Sequence, residues 1–269
     1  MNIQFNKITP RDIKKIANLQ PDGWSDITRE FRIFDSNNFC YPIKMVVDNE
    51  IVGVGNAVVF ENSAWLSHII VGKENRNRGF GFYIVEYLLN YLKSRAIETI
   101  LLIASPFGEG VYKKFGFKTV SNYIYLERKN AWTNKETSEK VVSYESRFYK
   151  EIIRLDKEIS GEEREPLLKK HIQNSFVYIE GGKVIGFYIP SLGEGQIFAD
   201  TSDAGIELMS MKYAISDIAI LPEDNKIGLE FLEKNGFCLS ETTGKRMILG
   251  KDIHWHPNKF YSRISGDYG

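Results

Sequence analysis

Val71-Gly72-Lys73-Glu74-Asn75-Arg76-Asn77-Arg78-Gly79-Phe80-Gly81 joins an apolar run, Trp65–Val71, to a stretch, Phe80–Arg95, whose apolar residues recur at helical spacing. The run reads as a buried strand and the stretch as a helix with Ile84, Val85, Leu88, Leu89 and Leu92 on one face. A strand that enters a helix through Arg-x-x-Gly-x-Gly makes an anion site. The first N–H groups of a helix have no partner within it, and the helix dipole adds partial positive charge there. Gly79 and Gly81 admit a ligand close to the backbone, while Arg76 and Arg78 add full charges. The ligand chemistry this suits is a pyrophosphate.

The 269 residues allow one large or two small domains, and 43% hydrophobic with 13% aromatic content is ample for packed cores. Lys+Arg and Asp+Glu both total 35, so no long basic face for nucleic acid is expected. The apolar runs are strand-sized, short of the roughly 20 residues of a membrane span. The start, Met-Asn-Ile-Gln-Phe-Asn-Lys, has no signal-peptide pattern, which predicts a cytoplasmic protein with no membrane partner. Cys40 and Cys238 form no motif and are expected to be two buried, reduced thiols.

Working outward, Asn2–Thr9 alternates like a strand. Pro10–Leu19 and Trp24–Phe34 read as helices, the second with Ser25 as N-cap. Ile43–Val47 and Ile51–Phe60 flank Asp48-Asn49-Glu50 as a hairpin. Thr99–Ala104 is a continuous apolar strand; Ser105-Pro106 opens a short helix ending at Phe115-Gly116-Phe117, and Lys118–Arg128 is again extended. A polar stretch, 131–142, reads as a linker between a domain at 1–130 and another at 143–269.

Beyond the linker the plan restarts. Helical segments at Ser143–Ile159 and Glu165–Ile172 precede a hairpin, Phe176–Ile179 with Val184–Ile189. Ala204–Tyr213 (helix), Ile215–Leu221 (strand) and Asn225–Asn235 (helix) follow, ending at Gly236-Phe237. Val52-Gly53 recurs as Ile185-Gly186, and Gly116-Phe117 as Gly236-Phe237; the interval between these anchors is 13 residues shorter in the second copy. The shortening falls where the first copy has its glycine loop. There the second copy carries Asp200-Thr201-Ser202-Asp203, whose carboxylates would repel a pyrophosphate.

Arg76–Gly81, followed by a helix, a strand and Tyr112-Lys113-Lys114-Phe115-Gly116-Phe117, resembles the GCN5-related N-acetyltransferase (GNAT) superfamily. Its signature is (Arg/Gln)-x-x-Gly-x-(Gly/Ala), and its last helix often ends in Tyr-x-x-x-Gly-Phe. The strong part of the likeness spans Ile51–Phe117. The second half resembles the degenerate domain of tandem members: it keeps Asn225 where the first copy has Ser105, and has Leu232 in place of Tyr112. The resemblance implies an α/β (α+β) fold of two tandem GNAT-like domains, each a mixed, mostly antiparallel central sheet flanked by helices. It implies acetyl-CoA as cosubstrate, held in a splay between Trp65–Val71 and Thr99–Ala104, and an amine acceptor. The implied cofactor contacts are Ile69, Ile70 and Val71 on the strand, Arg76, Asn77, Arg78, Gly79, Phe80 and Gly81 in the loop, and Ser105 and Gly108 after the next strand. An N–H near Ile69 or Ile70 would polarise the thioester carbonyl. Tyr112 would protonate the leaving thiolate, which a phenol of pKa about 10 can do for a thiol near 8.5.

The general base has several candidates: His68, Glu61, Glu109, the terminal carboxylate at Gly269, or a water relay. His68 is the one on the key strand, and an imidazole titrates near neutral pH. His254-Trp255-His256 would put two histidines on one face of a strand, but with no third ligand nearby no metal is expected. The aromatic tail, Phe260, Tyr261 and Tyr268, is expected to pack near the domain junction. Three functions compete: N-acetyl transfer by the first half, non-catalytic acetyl-CoA sensing or regulation, and an interaction module in which the cleft of the second half binds a small ligand or a partner chain. The residues leave homo-oligomerisation and the identity of the acceptor open.

Overall fold

The computed structural model describes residues 2–129 and 138–269, so most of the expected linker, 130–137, lies outside the described residues. The first copy runs β1 (Ile3–Lys7), α1 (Ile13–Ile16), α2 (Ile27–Ser36), β2 (Cys40–Val47), β3 (Glu50–Val59), β4 (Ala64–Val71), α3 (Phe80–Ser94), β5 (Thr99–Ala104), α4 (Glu109–Lys114) and β6 (Lys118–Arg128). The second runs β7 (Val141–Ser143), α5 (Tyr149–Ser160), α6 (Glu165–Leu168), β8 (Phe176–Glu180), β9 (Lys183–Ile189), β10 (Gln196–Ala199), α7 (Ser202–Tyr213), β11 (Ile218–Pro222), α8 (Lys226–Lys234), β12 (Phe237–Gly250) and β13 (Phe260–Ser262). The fold is the expected one: mixed, mostly antiparallel sheets flanked by helices.

Local chemistry sets several boundaries. Asp48 and Asn49 both adopt positive φ, as a tight β2–β3 hairpin requires. α2 starts two residues after the expected Ser25 cap, because the Asp26 carboxylate accepts from the Thr28 N–H at 2.8 Å. The Pro10–Leu19 helix is shorter than expected, Ile13–Ile16 plus a 3-10 turn over Ala17–Leu19. Val141 and Val142, the end of the expected linker, already lie in β7. The hairpin glycines Gly53 and Gly186 have one explanation in both copies: a later helix presses onto them. A Cβ on Gly53 would fall 2.7 Å from Ile84 of α3, and one on Gly186 3.0 Å from Leu208 of α7.

Among the described residues the strands form two sheets, β1-β2-β3-β4-β5-β12-β6-β11 and β13-β10-β9-β8-β7. The division along the chain at 131–142 is therefore not followed by the sheets. β12, from the second copy, pairs antiparallel with β5 from Lys245↔Ala104 to Gly250↔Thr99. Its other edge pairs with β6. β6 in turn lies between β12 and β11, pairing from Ile218↔Glu127 to Pro222↔Tyr123. Each copy thus lends its last long strand to the other. One core follows: Phe31, Phe34 and Trp65 of the first copy share a cluster with Phe148, Leu155 and Phe187 of the second. A second cluster lies beneath α3 and α4, on the other face of the first sheet.

A chain ending at residue 129 would expose the edges of β5 and β6 that β12 covers. Residues 2–129 alone are expected to lose a cooperative thermal transition and to associate, checked by circular dichroism melting and size-exclusion chromatography against the full chain.

Candidate active site

β4 and β5 run parallel and pair only at Ala64↔Ile100 and Trp65↔Leu101. From Leu66 onward they diverge, and no described strand enters between them. Ile69, Ile70 and Val71 line the diverging part of β4, and Ser105 and Gly108 follow the end of β5. β4 carries a bulge there. Val54 opposes Ile70 and Asn56 opposes Ser67, so His68 and Ile69 together face Gly55. His68 is the bulged residue with φ +50°, a conformation that costs a β-strand residue energy and recurs at functional sites.

The glycine loop closes one end of this gap. Asn77 (φ +61°) and Gly79 (φ +81°) turn the chain into α3, and no side chain caps the helix start. Arg76 Nε donates to the Val71 carbonyl at 3.3 Å, Arg78 donates to Asn75 Oδ1 at 3.2 Å, and the Arg78 guanidinium lies 5.1 Å from the centre of the Phe80 ring. A Cβ on Gly81 would meet nothing closer than Val71 at 3.9 Å, so the space over the loop is open. At the other strand end, Ser105 accepts the N–H groups of Gly108 and Glu109 through its carbonyl. A Cβ on Gly108 would come within 3.0 Å of the Tyr112 ring.

Tyr112 and His68 stand on opposite faces of the sheet. Tyr112 lies in the cluster under α3 and α4, against Phe117 at 5.8 Å, and burial holds its phenol well above the usual range. It is therefore protonated at any working pH. His68 lies among Phe34 (5.1 Å), Trp24 (5.7 Å) and Phe31 (5.8 Å), all edge-on to the imidazole. Its Nδ1 is 2.8 Å from Asp267 Oδ1. Burial disfavours the imidazolium, but the Asp267 carboxylate outweighs it, with help from Glu30, and the His68 pKa is raised. For Asp267 burial opposes the carboxylate, and His68, Ser67 and Ser265 more than reverse this, so its pKa is lowered.

The remaining candidates separate from this site. Glu61 lies in the turn before β4, seven residues from His68 in sequence. Glu109 is engaged by Lys113 at 2.7 Å and Lys245 at 2.8 Å, which lower its pKa. Gly269 packs on the Trp65 indole, where a Cβ would be 2.5 Å from the ring. The segment around His254-Trp255-His256 is not a strand; the two imidazoles meet edge-on at 4.5 Å, and Trp255 lies 4.1 Å from the Arg246 guanidinium. Cys40 is buried, its thiol pushed up to about 12 by burial, whereas Cys238 is exposed, contrary to the expectation of two buried thiols. Asp267 was not foreseen; 199 residues separate it from His68, and no local pattern marks it.

In the second copy the matching gap is filled. β13 pairs with β10, and the Arg263 N–H donates to Ile220 of β11 at 3.2 Å. The Tyr261 ring lies against Gly205 in the first turn of α7, within 2.3 Å of where a Cβ would stand. No described helix is long and apolar enough to cross a membrane.

Residues 27–129 match the profile of the acetyltransferase (GNAT) domain. A Bacillus subtilis (strain 168) protein, itself only provisionally assigned as an acetyltransferase, is 28% identical over 120 residues, 44% of this chain and 81% of its own length. A Pyrococcus horikoshii structure, likewise a provisional acetyltransferase, superposes with a TM-score of 0.83 at 22% identity, covering 99% of this chain and 96% of that one. A GCN5-related N-acetyltransferase of Sphaerobacter thermophilus superposes with a TM-score of 0.61 at 11% identity over 94% and 97% of the two chains. The similarity in fold thus extends over both copies.

The His68–Asp267 pair makes stability depend on pH. With the His68 pKa raised, its contribution is complete below about 6.5 and fades as pH rises through the folded-state value. With the Asp267 pKa lowered, its contribution is complete above about 3.8 and is lost on acidification. His68→Gln is therefore expected to cost on the order of 3 kcal/mol near pH 5.5 and less near pH 9. Urea unfolding of both proteins at the two pH values checks this.

Proposed function

We propose, from the match of residues 27–129 to the acetyltransferase (GNAT) domain profile, that the chain transfers an acetyl group from acetyl-CoA to an amine, with the chemistry in the first copy. The observation that carries this reading is the open β4/β5 gap beside the Arg76–Gly81 loop, set against the filled β10/β11 gap of the second copy. Acetyl-CoA fits the residues present: free helix N–H groups and two arginines for the pyrophosphate, and an unpaired strand edge for the pantetheine amides.

In this mechanism an N–H of the bulged strand, at Ile69 or Ile70, donates to the thioester oxygen, an effect worth about 3 kcal/mol of barrier. The amine nitrogen attacks the carbonyl carbon from the side of α1 and α2, where His68 lies. The C–N bond forms, the C–S bond breaks, and the nitrogen passes its proton to His68 Nε2. The thiolate takes the proton of Tyr112 from the other face. Separating acid and base across the sheet keeps one from neutralising the other. Aromatic Trp24, Phe31 and Phe34 form the acceptor wall beside His68, with the half-buried Glu30 carboxylate nearby. The second copy, with Tyr261 on its helix start and aspartates at 200 and 203, serves as scaffold and binds no nucleotide.

Acetyl-CoA is expected to raise the melting midpoint, and glutamate at both Arg76 and Arg78 to abolish the rise; no shift at millimolar acetyl-CoA overturns the cofactor assignment. Release of CoA thiol across a panel of small amines, amino acids, aminoglycosides and peptides tests turnover. Tyr112→Phe should slow that release roughly 10²-fold at unchanged acetyl-CoA binding. A thermal shift without release by any amine would instead favour a sensor.

A further inference from the structure

We propose that Asp267 is the positioning residue for His68, delivered to the first copy's site by the strand that fills the second copy's gap. The inference rests on His68 being the base, and it names the part of the site that the second copy supplies.

The delivery is a continuous path of fixed contacts. β13 is clamped in the β10/β11 gap: Asn225 Nδ2 donates to the Phe260 carbonyl at 2.9 Å, and the Lys212 ammonium bonds the Ser262 hydroxyl. Arg263 then forks onto Glu194 at 2.8 and 2.6 Å and donates to the Tyr125 hydroxyl at 2.8 Å. The next six residues fold back on themselves, the Ile264 N–H donating to the Gly269 carbonyl at 2.8 Å. Buried Arg164, paired with Asp156, donates to the Tyr268 carbonyl at 3.1 Å. This places Asp267 against β4 with little freedom. Its N–H donates to Ser265 Oγ at 3.0 Å, and Ser67, next to His68, adds a hydrogen bond from β4. Ser67 is itself held by Asn56 Nδ2 at 3.2 Å.

The consequence is chemical. A carboxylate that accepts from Nδ1–H leaves the lone pair of the neutral ring on Nε2 and stabilises the imidazolium formed when Nε2 takes the proton of the attacking amine. The charged groups facing His68 are Glu30 from α2 and Asp267 from the tail, and both favour the protonated ring. Trp24, Phe31 and Phe34 stand edge-on beside the ring. A purely structural ion pair would need neither the bulged φ of +50° at His68 nor a carboxylate brought from 199 residues away to the edge of an open gap.

The test uses the full chain labelled with ¹⁵N at histidine, the His68 signals assigned by their loss in His68→Gln. In the wild type the neutral His68 ring should carry its proton on Nδ1 and titrate above 6.5. In Asp267→Asn the tautomer should become mixed and the midpoint should fall, because burial is then opposed by Glu30 alone. An unchanged melting shift with acetyl-CoA shows that the variant is folded; should it not fold, Asp267→Glu, which keeps the charge but moves it, carries the same comparison. With the fastest amine of the panel, Asp267→Asn should lower kcat by about 10- to 100-fold, leave the KM for acetyl-CoA unchanged, and move the acid limb of the pH profile downward. The same tautomer and midpoint in wild type and Asp267→Asn overturn the proposal, as does full kcat in Asp267→Asn where His68→Gln has lost it. Full turnover in His68→Gln removes His68 as base and this inference with it, leaving acetyl transfer intact. An absence of turnover with every amine defeats acetyl transfer, and the ¹⁵N comparison still decides whether Asp267 sets the ring.

Discussion

β6 and β12 pair along most of their length, and each is the strand that the opposite copy needs to finish its sheet. Without β12, β5 has no antiparallel neighbour on the side away from β4; without β6, β11 has no partner in the first sheet. Backbone groups at the centre of a sheet must be paired or hydrated, and those of buried Arg246, Met247 and Ile248 find their partners on β5 and β6. Met247 of β12 is fully buried in the cluster beneath α3 and α4, and Leu126 of β6 packs with the helices of the second copy. The two cores therefore cannot form independently. β12 secures the edge of β5 that faces away from the gap between β4 and β5.

The two copies share a plan and differ at one decisive place. In the first, a bulge at His68 and a glycine turn at Gly79 keep a strand edge and a helix start free. In the second, β13 occupies the corresponding gap, and the flat face of Tyr261 sits where Gly205 leaves room. One glycine admits space for a ligand and the other space for the protein's own ring. The same geometric allowance has thus been put to opposite uses within one chain.

The loop, the strands flanking it and the repeat were legible because each is signalled locally, by Arg76–Gly81, by the apolar runs around it and by the recurring Val52-Gly53 and Gly116-Phe117 pairs, whereas the splay of those strands was implied only by the family resemblance. β12 was not. Its interior, Ser240 to Arg246, is polar, and the buried Arg246 earns its place between the Trp65 and Trp255 rings, at 4.7 and 4.1 Å, rather than through an apolar side chain. β10 and β13 are too short, at four and three residues, for alternation to show. Asp267 escaped for a different reason: its role comes from contact with a residue at the other end of the chain, and sequence spacing carries no trace of that.

Two units that exchange equivalent strands around a shared pair have the topology of an intertwined dimer, here written into one polypeptide. A two-chain assembly of this kind would dissociate on dilution, its stability set by protein concentration. A short covalent connection between the copies replaces that dependence with an effective concentration in the millimolar range, fixed by geometry. It also releases the two halves from the need to remain identical. One could keep the glycine loop while the other surrendered its gap to a strand, a division that a symmetric pair of identical chains could not make.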